Sequence, residues 1–231
     1  MVITMDSHIL DRPIWSSLTS SHANYSIGSQ RARRFETDIS PFAAARDESE
    51  LSLSDLATII PDNGQILIAQ TEPIIIPSKT RAKLTTTAYQ MVYQGSDIAP
   101  QYQHVIEPLT LSDGPNMLEL AGLTKPGPFL DRTHLLGEFW GVKKQGQLIA
   151  MAGERLKQPG FTEISGVCTH PDHQGKGLGR ELCIAVSLRI TDRGETPYLH
   201  VFSDNTSAIK LYEKLGFYTR KTMHVAALEN A

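Results

Sequence analysis

The stretch Val167-Cys168-Thr169-His170-Pro171-Asp172-His173-Gln174-Gly175-Lys176-Gly177-Leu178-Gly179-Arg180 decides how the chain is read. It runs from a strand end through a glycine-rich turn into a helix. Pro171 ends the strand. From Gly177 to Arg193, Leu178, Leu182, Ala185 and Val186 fall at i, i+4, i+7 and i+8, one apolar helix face. Gly194 is a C-terminal stop. The first amides of a helix lack partners and carry partial positive charge. Glycines let a bulky anion approach them closely. Lys176 and Arg180 add mobile positive charge. The residues Gln174, Gly175, Lys176, Gly177, Leu178, Gly179 and Arg180 therefore predict a diphosphate cradle. A Walker A loop is excluded, because Gly177 rather than Ser or Thr follows Lys176. A dinucleotide fingerprint needs a third glycine where Arg180 stands, and a parallel sheet around it. A glycine-rich helix start that holds nothing is the plain alternative.

Outward from this loop the second half reads strand, helix, strand, strand, strand, helix, strand, helix, strand. His104 to Leu109 is a short strand, and Asp113 and Pro115 lead a helix through Leu123. Glu138 to Lys144 and Gln147 to Leu156 flank Gln145-Gly146 as a hairpin. Phe161 to Thr169 and Pro197 to Phe202 are strands, Asn205 to Lys214 is a helix ended by Gly216, and Phe217 to Ala227 closes as a strand. The pattern predicts an α+β fold, a mixed and mostly antiparallel sheet flanked by helices.

The first half is less periodic. Ile14 to Tyr25 and Ser52 to Ile60 read as helices; Gln65 to Ala69, Pro73 to Ile76 and Thr85 to Tyr93 read as strands. Gly95, Ser96, Asp97 and Pro100 cluster between Gln94 and Gln103, which divides the chain into residues 1–103 and 104–231. Gly64-Gln65-Ile66-Leu67 resembles Gly146-Gln147-Leu148-Ile149, so the added N-terminal α/β region is open to being a degenerate copy of the second half. Dimerisation or substrate specificity is its other expected role.

Gln174-x-x-Gly177-x-Gly179 resembles the acyl-CoA pyrophosphate loop of the GNAT N-acetyltransferase superfamily. Asn205-x-x-Ala208-x-x-x-Tyr212-x-x-x-Gly216-Phe217 resembles that family's last helix and its exit. Gly166-Val167-Cys168-Thr169-His170-Pro171 and Phe217 are closest to its FR47-like branch. The resemblance spans Val105 to Lys221, about half the chain. It implies an acetyl-CoA-dependent N-acetyltransferase acting on an amine acceptor by direct transfer in a ternary complex. It also implies that the pantetheine arm lies between the strands at Phe161 to Thr169 and Pro197 to Ser203. The main chain of Val167, Cys168 and Thr169 would pair with the arm, and an N–H near Val167 or Cys168 would polarise the thioester. Asn205 and Ala208 belong to the cofactor side. A binding module for acyl-CoA without turnover is the alternative.

Acyl transfer to an amine needs a proton for the departing thiolate and a route for the amine's proton. Ala208 and Tyr212 share a helix face, and Tyr212 matches the residue the family commonly uses as general acid. Glu163, a carboxylate in an apolar strand, must face water, a partner or substrate, and is one candidate base; Glu154 is a second. Histidine as a residue type suits proton transfer near neutral pH, and His200 resembles a water-ordering histidine of some peptide N-terminal acetyltransferases. The loop Lys125 to His134 lies where the family builds its acceptor pocket: Phe129 would line it and Arg132 would meet a carboxylate, which suits an amino acid or peptide.

Composition narrows the rest. The 231 residues carry a formal net charge of −3 and no polybasic stretch, against nucleic acid as a partner. Arg31, Arg33 and Arg34 read as a solvated face. No apolar run of about 18 residues and no secretory signal pattern occurs, so cytoplasm and no membrane contact are expected. Cys168 and Cys183 cannot build a disulfide framework; neither reads as a nucleophile. His170 and His173 lack the donors that would complete a metal site, so no metal is expected. A homodimer is left open.

Overall fold

The computed structural model describes residues 8–95 and 102–231. The chain opens with α1 (Pro13–Leu18) and three short strands, β1 (Ser26–Gly28), β2 (Ala32–Phe35) and β3 (Ala43–Ala45), in an antiparallel sheet of that order. Next come α2 (Glu50–Thr58), β4 (Ile66–Gln70) and β5 (Thr80–Tyr93). Beyond residue 102 follow β6 (Glu107–Leu109), α3 (Gly114–Thr124), β7 (Phe139–Lys144), β8 (Gln147–Gln158) and β9 (Phe161–Thr169). The chain ends with α4 (Leu178–Asp192), β10 (Thr196–Phe202), α5 (Thr206–Lys214) and β11 (Phe217–Asn230). The large sheet has the order β4-β11-β5-β10-β9-β8-β7-β6, antiparallel between all neighbours except β9 and β10.

The stretch expected to separate residues 1–103 from 104–231 includes residues 96–101, which lie outside the described residues. On its N-terminal side β5 inserts between β10 and β11, and β4 forms the sheet edge beyond β11. Residues 8–95 thus build a three-stranded sheet and two strands of the large one, not a second copy of the C-terminal half.

Local physics explains where the expected elements shift. Ile14 to Tyr25 does not stay helical: α1 stops at Leu18, where Thr19 Oγ1 and Ser20 Oγ donate back to the carbonyls of Trp15 (2.8 Å) and Ser16 (2.5 Å). Pro73 to Ile76 is irregular rather than a strand, since prolines at 73 and 77 cannot donate to a ladder. β5 begins at Thr80, earlier than expected, and is paired along its length with β11. α5 starts where Asn205 Oδ1 accepts the amide of Ala208 (3.2 Å), and α2 where Ser49 Oγ accepts that of Ser52.

Both faces of the large sheet are covered. Leu178, Leu182, Cys183, Val186 and Ile190 of α4 pack on Met91, Ile164, Leu199 and Val201. On the opposite face Leu10, Ile14, Leu18 and Phe35 pack on Val92, Leu156 and Tyr198. Alternation along β5 (Met91 against Val92) and β10 (Leu199 against Tyr198) assigns the two faces.

The N-terminal layer is therefore core. Phe35→Ala is expected to lower unfolding free energy by about 3–5 kcal/mol, read as a shifted denaturant midpoint in one cooperative transition. A separate early transition confined to residues 8–45 would contradict this packing.

Candidate functional site

β9 and β10 pair at Thr196↔Phe161, Pro197↔Thr162 and Tyr198↔Glu163, and at no later position. β9 continues to Thr169 and β10 to Phe202, so the strands part after Glu163 and Tyr198. The parting leaves a cleft with Glu163 at its vertex. Farther along β9, Ser165 pairs with Gly153 and Cys168 with Met151, so Gly166 and Val167 together oppose Ala152. Gly166 sits at φ 64, a left-handed bulge residue that a side chain would strain. The bulge takes the main chain at Val167 out of the regular ladder beside the cleft.

The glycine loop lies at the end of β9. Gln174 N donates to Pro171 O (3.3 Å), and the next amide with an acceptor is Glu181 N, on Gly177 O (3.0 Å). The six amides from Gly175 to Arg180 have no acceptor among the described residues. Gly177 caps α4 in the left-handed region (φ 79), with no side chain closing the cap. Gln174, Gly175, Lys176 and Gly177 are exposed, and Leu178 anchors the helix start in the core. Lys176 Nζ stands 3.3 Å from His173 Nδ1. A loop with this geometry offers an anion several converging N–H donors and a positive helix end.

Tyr212 is set edge-on to Phe217 (ring centroids 6.0 Å) and packs with Ala208 against the α4 side of the sheet. Burial pushes its phenol up, so it keeps its proton at neutral pH. Its hydroxyl has no hydrogen-bond partner among the described residues. Cys183 packs on the same side, Cys168 with Met117 and Leu120 of α3; burial pushes Cys168 up to about 11 and Cys183 up to about 12, so neither is a ready thiolate.

The vertex holds a continuous polar chain on the other face. Glu163, fully buried, accepts from Arg155 Nε (2.9 Å) and Nη2 (2.7 Å), from Leu156 N (3.3 Å) and from His200 Nδ1 (2.8 Å). Burial alone would raise its carboxyl; Arg155 and His200 outweigh that and lower it to about 2. A carboxylate this acidic, with four donors on it, is a poor proton acceptor. Glu154 is likewise buried and held by Lys157 (2.6 Å) and Arg193 (2.5 Å). His200 Nε2 is 3.1 Å from Gln90 Nε2, and Gln90 Oε1 accepts from Arg220 Nη1 (2.8 Å). Bulges place both arginines: β8 carries an extra residue at Arg155–Leu156, and β11 one at Arg220.

In the loop expected to build an acceptor pocket, Phe129 meets Phe139 edge-on (5.6 Å) beside Gly166. Arg132 is turned elsewhere. Its guanidinium donates to Glu36 (2.7 Å) and Asp38 (3.0 Å), which ties the loop to the N-terminal layer.

This arrangement has clear relatives. The profile described as FR47-like protein matches residues 140–225. A GNAT-family protein from Novosphingobium aromaticivorans superposes with a TM-score of 0.91 at 37% identity, covering 97% of this chain and 100% of that one. The chain belongs to the GNAT acetyltransferase family. A GCN5-related N-acetyltransferase from Kribbella flavida shares the fold at a TM-score of 0.65 and 14% identity, over 92% of this chain and 93% of that one. A mycothiol acetyltransferase from Rhodococcus opacus is 37% identical over 100 residues, 42% of this chain. The match takes in only 30% of that relative's length.

Within this GNAT chain, the cradle, the bulge, Glu163, His200 and Tyr212 all fall inside the matched segment, whereas Phe129, Arg132 and Gln90 fall outside it. Gln90, Arg155 and Arg220 escape the reading by sequence. Gln90 carried a usable signal: a polar residue between Ala88 and Val92 on an inward strand face, the same pattern that singled out Glu163. The two arginines depend on bulges, which leave no mark in the sequence.

The buried pair sets a stability prediction. Glu163→Ala leaves Arg155 uncompensated and is expected to cost about 3–5 kcal/mol. Glu163 is lowered when folded, so its contribution is complete above the ordinary carboxyl value near 4.5 and fades as pH falls toward about 2. Denaturant titrations across that window should find the gap between wild type and variant closing on acidification; a constant gap would refute the charged assignment.

Proposed function

We propose that this chain transfers an acetyl group from acetyl-CoA to a primary amine, carried by an amino acid, a peptide or a small metabolite, directly in a ternary complex. The observation that carries this reading is the run of free amides from Gly175 to Arg180 beside the parting of β9 and β10. Such a loop suits a diphosphate, and a cleft of this kind suits the extended arm that follows it. Family membership and relatives named mycothiol acetyltransferase support acetyl as the group moved.

In this reading Gln174 to Arg180 grip the diphosphate, with Lys176 and Arg180 adding charge. The main chain of Val167, Cys168 and Thr169 runs along the arm, and the bulge at Gly166 frees an N–H at Val167 or Cys168 to hold the developing oxyanion. Asn205 and Ala208 shape the α5 side of the arm, where the short Ala208 leaves room. Tyr212, beside the short Ala208 and with no hydrogen-bond partner among the described residues, gives its proton to the departing thiolate. His200 takes the amine's proton through a water. Glu163 lies against His200 Nδ1 and stabilises the imidazolium that forms, the role of an orienting carboxylate rather than of a base. Phe129 lines the acceptor side and Arg132 stands at its rim, held by Glu36 and Asp38.

Two measurements test the reading. Thiol release from acetyl-CoA should appear with some member of an amine panel, and Tyr212→Phe should lower kcat about a hundredfold while calorimetric affinity for acetyl-CoA stays unchanged. CoA binding with no turnover on any amine would reduce the chain to a binding module. Absence of binding heat at millimolar CoA would remove the cradle itself.

A further inference from the structure

Gln90 is fully buried on β5, the strand that separates the cleft strands from the C-terminal one. Its carboxamide is fixed from two sides. Arg220 has only donors, so the Gln90 atom facing Arg220 Nη1 (2.8 Å) must be the oxygen. The main-chain oxygen of Leu10 only accepts, so the atom facing it (2.9 Å) must be the amide nitrogen. Both constraints turn the Gln90 Nε2 group toward His200 Nε2, at 3.1 Å. That ring nitrogen must then offer its lone pair, which puts the ring proton on Nδ1, where it is donated to Glu163 (2.8 Å). Arg220 is itself held by Asp11 Oδ1 (2.5 Å), and Asp11 Oδ2 accepts the amide of His8 (2.9 Å).

We infer that Gln90 is a positioning residue for His200: oriented by Arg220, Asp11 and the Leu10 carbonyl, it holds a donor against Nε2 of the ring whose Nδ1–H the Glu163 carboxylate demands, and it ties the N-terminal segment to the vertex of the cleft. The inference concerns the same site as the proposed acetyl transfer, and its kinetic consequence rests on that reading. The charged and titratable groups around the ring are Glu163 on β9, Arg155 behind it on β8, Arg220 on β11, Asp11 and His8 on the N-terminal segment, and Tyr198, whose ring stands 5.6 Å away on the same strand. Gln90 offers the ring a donor and no acceptor. A proton arriving at Nε2 must therefore displace this hydrogen bond.

Imidazole nitrogen NMR of the full chain tests this directly. In the wild type at neutral pH, His200 should show one tautomer, protonated at Nδ1; an Nε2-protonated or mixed ring would overturn the inference. Gln90→Met keeps the volume and removes the donor. Arg220→Met keeps Gln90 but frees its amide to turn its oxygen toward the ring. In each variant Glu163 keeps the ring proton on Nδ1 but Nε2 loses its donor, so the Nε2 resonance should shift and the doubly protonated ring should persist to about one pH unit higher than in the wild type. If His200 is the base, the acid limb of kcat/KM follows, with about tenfold lower activity on that limb and an unchanged plateau; Arg220→Lys should restore most of the wild-type profile. Variants that lose stability yet keep the wild-type Nε2 resonance and titration would show Gln90 to be a packing residue only. Should Gln90→Met fail to fold, the wild-type spectrum and the Arg220 pair decide. Should no amine be acetylated, the NMR arm still stands or falls alone.

Discussion

Glu163 is a carboxylate at zero exposure in the middle of a sheet, and it is charged. Removing such an ion from water costs several kcal/mol unless its lone pairs are all engaged. Arg155, the Leu156 amide and His200 engage them. A regular β8 would present either Arg155 or the next residue to β9; the bulge at Arg155–Leu156 lets the arginine side chain and the following amide reach one carboxylate together. The charge also sits where β9 and β10 stop pairing, so the donors that a ladder would consume are free to be supplied by side chains. The irregularities of the central sheet and the buried charge are thus one arrangement, each requiring the others.

The same charge explains why the N-terminal layer is indispensable to the site. Arg155 stacks over the ring of Phe42, 4.7 Å from its centroid, so residue 42 shields the ion pair from water. Leu10 and Asp11 close the far end of the polar chain, and Glu36 and Asp38 hold the acceptor loop through Arg132. Three separate segments before residue 45 therefore reach the cleft region. Residues that read by sequence as an appendage to the catalytic half instead furnish its second wall.

How much of this is legible in the sequence follows from which forces write it. Phe161 to Thr169 is a strand with the bounds that Pro159-Gly160 and Pro171 impose, and α4 follows its apolar period between Gly177 and Gly194, because packing on a sheet demands that pattern. β1 to β3 are not legible. Each has three or four residues, and Ala43–Ala45 lacks the branched or aromatic side chains that mark strands. Their pairing comes from tertiary packing under Phe35 and Ile39. At the site, the loop of free amides is legible because its left-handed turns at 175 and 177 call for glycine. The polar chain behind His200 is not, because it joins Gln90, Arg220 and Asp11, three residues drawn together from distant parts of the chain.

The placement of proton-handling groups carries a last consequence. Tyr212 belongs to the α4 side of the sheet, with Ala208, Phe217 and Leu199, whereas His200 and Glu163 belong to the side covered by Leu10 and Ile14, where Tyr198 and Val92 also point. The sheet between them is continuous except where β9 and β10 part. On the proposed reading, the phenol serves a thiolate arriving from the α4 side, and the imidazole serves an amine arriving from the N-terminal side. Two groups of opposite duty, one holding its proton and one offering a lone pair, would neutralise each other's purpose if they shared a hydrogen bond. On that reading, opposite faces joined through the cleft keep the proton of Tyr212 for the leaving sulfur, while His200, whose Nε2 lone pair Gln90 engages in the resting site, meets the acceptor from its own side. On the proposed reading the splayed strands would do more than admit an extended arm: among the described residues they give a passage through which acid and base reach one acyl centre without meeting.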